Sequence, residues 1–134
     1  LDAMYQNIAR CLKPGGKSIL FEIHPFNRPF GDDAKIRAPY DAVGPFEDET
    51  TVTFHWRVMD ILGAMLRAGL SLRDFREMFA EKKYDDPCWV SCEAQVRDGY
   101  REYDHEAVDR MHDWRENPMA ALPQWMCALA EKEN

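Results

Sequence analysis

The chain has no apolar stretch near the roughly 20 residues needed to cross a bilayer, and no charged start followed by an apolar core marks a signal peptide. A membrane is therefore not expected as a partner, and the expectation is a cytoplasmic protein. Positive charge is in deficit. Lys plus Arg number 17 against 24 Asp plus Glu, so the net charge of -7 repels a phosphate backbone and speaks against nucleic acid as a partner. Cysteine is sparse, and four thiols without a secretory signal read as reduced side chains, not a disulfide framework. Glycine numbers only seven. The only adjacent pair among the seven, Gly15 and Gly16, precedes an apolar run instead of opening a helix, so it is not a dinucleotide or phosphate turn. No internal repeat and no low-complexity segment is present.

What remains is ordinary for one globular domain: 134 residues, 46% hydrophobic and 31% charged. The most informative stretch runs from Lys13 to Phe26. Pro14 ends a preceding helix, Gly15 and Gly16 supply the cap and reversal, and Ser18 to Ile23 is a nearly unbroken apolar run. It closes on Glu22 and His24. This is the pattern of a strand covered on both faces in a parallel sheet, with polar groups at the carboxyl end where such sheets bind ligands.

Before that joint, Leu1, Met4, Tyr5, Ile8 and Leu12 fall on one helical face, predicting a helix over residues 1 to about 12. After it, residues 25 to 53 hold prolines, acids and scattered aromatics without sustained periodicity, which reads as a long loop or lid with a short hairpin around Thr50 to Phe54. A helix begins at about Arg57, carries Val58, Ile61, Leu62, Met65 and Leu66 on one stripe, and ends at Gly69. Leu70 to Phe79, with apolar residues separated by charges, suits a strand at a sheet edge. A mostly polar run follows, then a helix from His105 to Glu116, capped by Asp104, burying Val108, Met111 and Trp114 and stopped by Asn117-Pro118. Trp125 to Ala130 is apolar without alternation, a strand for a sheet interior, expected between Ser18-Ile23 and Leu72-Glu77.

The joint Leu12-Lys13-Pro14-Gly15-Gly16 before a buried strand resembles the one before the fifth strand of class I S-adenosylmethionine-dependent methyltransferases. Glu22-Ile23-His24-Pro25-Phe26 is similar to one small-molecule branch of that family. His55 to Leu70 resembles the family's helix that ends in a small residue, glycine and an apolar residue, and Leu122-Pro123-Gln124-Trp125 before an apolar strand recurs there too. The resemblance implies an α/β fold: a partial Rossmann-like sheet of the fifth, sixth and antiparallel seventh strands with covering helices. It further implies that residues 1–134 form the C-terminal half of the domain, with a lid at about 25–56 and a helical insertion at about 80–121. The opening at Leu1, without Met and already inside a helical pattern, is read as a fragment.

By that resemblance the function is methyl transfer to a small molecule. S-adenosylmethionine is the cofactor of the complete fold, and none is expected on this chain alone, because the family holds it with a Gly-rich turn and an acid of the first half. Partners follow: a small-molecule substrate, and either the missing N-terminal half or a second copy through the exposed edge of Ser18-Ile23. The other reading is a non-catalytic remnant that serves as an interaction module.

His24 has an unperturbed pKa near 6.5 suited to a general base, or it hydrogen-bonds loop backbone ahead of Pro25; both readings stand. Glu22 either holds a cationic or hydroxylated substrate or pairs with a neighbouring helix. Phe26, His55 and Trp56 are placed against the substrate, with packing as the alternative for His55 and Trp56. Cys88, Cys92, His105 and His112 approach a zinc-finger spacing, but the last gap is too long and Glu102 falls where an apolar residue is required. No metal site is assigned, and both histidines are read as facing solvent.

Overall fold

The computed structural model describes residues 1–31, 34–79, 95–97, 100–102 and 105–133. They fall into two compact units, Leu1–Met78 with Pro123–Asn134, and Phe79–Leu122.

The first unit opens with helix α1, Asp2–Cys11, whose buried side chains Tyr5 and Ala9 lie one turn apart. Pro14 and Gly15 turn the chain, Gly15 at φ +73, a value that L side chains rarely adopt. Its N–H donates to the carbonyl of Lys132 at 2.8 Å, tying the turn to the last strand. Strand β1, Lys17–Ile23, follows directly. The segment after β1 begins with a single 3-10 turn at Pro25–Asn27 and contains the two-residue strands β2, Phe46–Glu47, and β3, Val52–Thr53, paired antiparallel. Their connection is organised by Asp48, whose carboxylate accepts from the backbone and hydroxyls of Thr50 and Thr51.

Helix α2, Val58–Arg67, starts where Asp60 accepts from the Arg57 backbone N–H and guanidinium, and it hands over through Gly69, φ +78, to strand β4, Leu70–Met78. The final strand of this unit, Trp125–Lys132, is called β7, since two short strands lie between. It sits at the centre of a three-stranded sheet of order β1-β7-β4 and is antiparallel to both neighbours, so β1 and β4 run parallel as expected. The alternation of β7 explains its place: Met126, Ala128 and Ala130 are fully buried against Tyr5, Ile61, Ala64 and Met65. The alanines leave room for two helices to lie close to the strand. Lys132 completes the packing by donating from Nζ to the carbonyls of Ala9 and Leu12, satisfying the C-terminus of α1.

One expectation fails here. Ser18-Ile23 was read as covered on both faces, yet Ile19 is 71% and Phe21 59% exposed while Ser18, Leu20 and Glu22 are half-buried. Both helices of this unit pack on the Leu20 side, and among its described residues no layer covers the other. Phe21 there stacks on Trp125 at 5.5 Å between ring centroids.

The second unit contains the hairpin β5, Gln95–Arg97, with β6, Tyr100–Glu102, then α3, His105–His112, and a 3-10 turn at Pro118–Ala121. The hairpin lies in the run read only as polar. The helix stops at His112 instead of Glu116 because Asp113 accepts from the N–H of Arg115 and diverts the chain into a turn. Trp114 is accordingly exposed, not buried, with the Arg115 guanidinium 4.8 Å above its ring. His112 is half-buried, not solvent-facing. Asp104, Cys88, Cys92 and the side chains of His105, Val108 and Met111 lie outside the described residues. Among the described residues no group of three metal-ligating side chains converges, and no helix is long and apolar enough to cross a membrane.

Candidate functional site

The carboxyl end of β1 is where chemistry-bearing side chains gather. Pro25 fixes φ for the 3-10 turn, and His24, fully buried, caps that turn by accepting the Phe26 N–H at Nδ1 over 3.2 Å. An Nδ1 that accepts leaves the proton on Nε2, which faces Glu77 Oε1 of β4 at 3.0 Å. The imidazole thus bridges the ends of the two parallel strands across the start of β7. The backbone joins in: His24 N–H donates to Gln124 O, and Gln124 N–H to Met78 O. Of the two readings open for His24, the loop-capping contact is the one present; neither ring nitrogen is free for a substrate.

Beside the same strand end lies a cavity of about 230 Å³. Met4 and Tyr5 of α1, Leu20 of β1, and Phe54 and Trp56 from the segment before α2 line it. Among the described residues, Glu22 and Arg28 are the charged side chains lining it, with Arg28 Nη2 3.3 Å from Glu22 Oε1. That oxygen also accepts the Ile23 N–H at 2.9 Å. Both side chains are more than a third exposed, so the pair itself is worth about 0–1 kcal/mol. Tyr5 is buried, and burial first, then the Glu22 charge, raises its pKa, keeping the phenol protonated.

Aromatic rings frame this end of the unit. Phe54 and Trp56 lie nearly parallel, 8° apart at 5.1 Å. His55, pointing the other way along the same extended stretch, stacks on Phe46 at 4.4 Å, and burial together with the Arg28 charge lowers its pKa, so the ring is neutral at pH 7. Phe26 bridges His24 and Tyr40, at 5.0 and 4.9 Å, and the Tyr40 hydroxyl accepts the first N–H of α2, from Val58.

Of the residues singled out from the sequence, then, Glu22 and Trp56 line the cavity, while His24, Phe26 and His55 stand behind it as supports. Three that sequence reasoning passed over also line it: Tyr5, Arg28 and Phe54. Tyr5 was read as a core position of its helix, which it also is. Arg28 and Phe54 lie in an aperiodic stretch, where no repeat assigns a side chain to a face. The described glycines do not build a phosphate-binding turn: Gly15 and Gly16 lie between α1 and β1, Gly69 between α2 and β4, and β1 runs into a proline-led turn, not a helix of useful length.

No family model matches this chain, and no curated protein matches it. Two solved structures share its fold. An S-adenosylmethionine dependent methyltransferase from Mesorhizobium loti superposes with a TM-score of 0.57 at 14% identity over 98% of this chain and 55% of its own. A putative S-adenosylmethionine dependent methyltransferase from Listeria monocytogenes gives 0.55 at 14% identity over 100% of this chain and 55% of its own. The chain thus spans about half the length of the structures it resembles.

Proposed function

We propose that this chain is the acceptor-side half of a class I S-adenosylmethionine-dependent methyltransferase acting on a small molecule, with its cofactor held by residues outside these 134. The observation that carries the reading is the likeness, over 98% of the chain, to a methyltransferase structure of which it covers only 55%. In this reading β1, β4 and β7 are the fifth, sixth and seventh strands of the complete sheet, and residues 25–56 are the lid. The cavity beside Glu22 is then the acceptor pocket, since ligands of open α/β sheets lie beyond the carboxyl ends of the parallel strands.

The cofactor would supply an electrophilic methyl group. The residues of this chain bind and orient the acceptor: Phe54 and Trp56 wall it, Glu22 and Arg28 address its polar atom, and alignment of this kind is the main contribution a protein makes to a displacement. His24 serves as a positioning residue, which its complete burial and two committed nitrogens support. The test is methyl transfer from labelled S-adenosylmethionine by the product of the whole reading frame that contains Leu1, over a panel of small hydroxylated and amino compounds. Label incorporation that Trp56→Ala reduces upholds the proposal. A frame with no Gly-rich strand-turn-helix upstream, and no transfer, refutes it.

A further inference from the structure

The polar and apolar parts of the cavity beside Glu22 are arranged in a way that selects a ligand class. Its volume of about 230 Å³ lies below the roughly 300 Å³ at which sites for drug-sized molecules begin, so the occupant is no larger than one or two fused rings. Phe54 and Trp56, stacked nearly parallel at 5.1 Å, present flat aromatic surface, matched by the apolar Met4, Leu20 and Ile61. A flat aromatic body satisfies such walls better than a branched or strongly polar one.

The polar end is a carboxylate next to a guanidinium. Glu22 Oε1 is shared by Arg28 and the Ile23 N–H, which leaves Oε2 as the acceptor that no described group uses. A hydroxyl is both donor and acceptor, so it can donate to Glu22 and accept from Arg28 at once. A carboxylate ligand could use only Arg28 and would be repelled by Glu22; an ammonium could use only Glu22 and would be repelled by Arg28.

We infer that this cavity takes a neutral aromatic alcohol, its ring against Phe54 and Trp56 and its hydroxyl between Glu22 and Arg28. Calling that alcohol the methyl acceptor rests on the function proposed above; its binding does not. The test is an amide chemical-shift titration of the 134-residue chain with naphthol, naphthoate and naphthylmethylammonium at neutral pH, with no cofactor present. Naphthol is expected to bind about tenfold more tightly than either ion, with shifts at Tyr5, Glu22 and Trp56. Glu22→Leu, a half-exposed site, should bring naphthoate level with naphthol or past it, and Arg28→Leu should do so for the ammonium. Equal affinity for the three probes, tighter binding of an ion to the unaltered chain, or shifts confined to other residues would overturn the inference. A chain that ranks the probes as stated, in a reading frame that transfers no methyl group, keeps the site and loses the enzyme.

Discussion

Replacing His24 by alanine removes two contacts at once, the acceptor of the Phe26 N–H and the partner of Glu77, and leaves a part-buried donor unpaired. A loss of about 2–3 kcal/mol in urea unfolding is expected. His24→Asn, which restores a cap acceptor, should recover about 1 kcal/mol of it. Equal losses in the two variants would contradict the capping role. Nearby, pH acts through two groups whose folded pKa values are lowered. His55 is held low by burial and by Arg28, so the folded state prefers its neutral form; the stability this gives is present above about pH 6.5 and is lost as pH falls through the lower folded value. Asp48, held at about 2 by the Thr50 and Thr51 hydrogen bonds, follows the same sign at lower pH. Its turn should stay formed until the carboxyl protonates, so a carboxyl resonance titrating near 4 would show that the Asp48 contacts do not form in solution.

At the level of elements, the helices and the central strand were legible because their periodicity and punctuation agree. Val58, Ile61 and Met65 recur at helical spacing, with Asp60 in the first turn and Gly69 just past the end, and helix α2 forms over Val58–Arg67. Burial of β1 was not legible, since an apolar run shows what a strand can bury and not whether a layer exists to cover it. The cap from Lys132 to α1 was invisible for a related reason: it joins residues 123 and 120 positions apart in sequence. Arg28 and Phe54 stayed hidden because the stretches that carry them take their conformation from ring stacking and single hydrogen bonds, which leave no period to read. Two substitutions examine these contacts. Lys132→Met should cost about 1–2 kcal/mol and speed amide exchange in the last turn of α1, as unsatisfied carbonyls fray it. Met65→Ala, at a fully buried site between α2 and the sheet, should cost about 2–5 kcal/mol, and a loss under about 1 kcal/mol would mean that α2 is not docked on β7.

Taken whole, the sheet has β1 at one edge among the described strands, with Ile19 and Phe21 exposed beside it. An unpaired strand edge next to apolar surface is a template for pairing, and every 100 Å² of apolar area covered favours association by about 2.5 kcal/mol. Sedimentation of the isolated chain at micromolar concentration should therefore show self-association that Phe21→Lys suppresses, the net charge of -7 opposing it only weakly at physiological salt. The same edge is where a preceding half-sheet would dock in a complete methyltransferase, and that half would bring the cofactor. Calorimetric titration of S-adenosylmethionine into the 134-residue chain, alongside the product of its whole reading frame, tests this most directly. The account predicts micromolar binding to the whole product and nothing tighter than millimolar to the chain alone; micromolar binding to the chain alone, or none to the whole product, would contradict it.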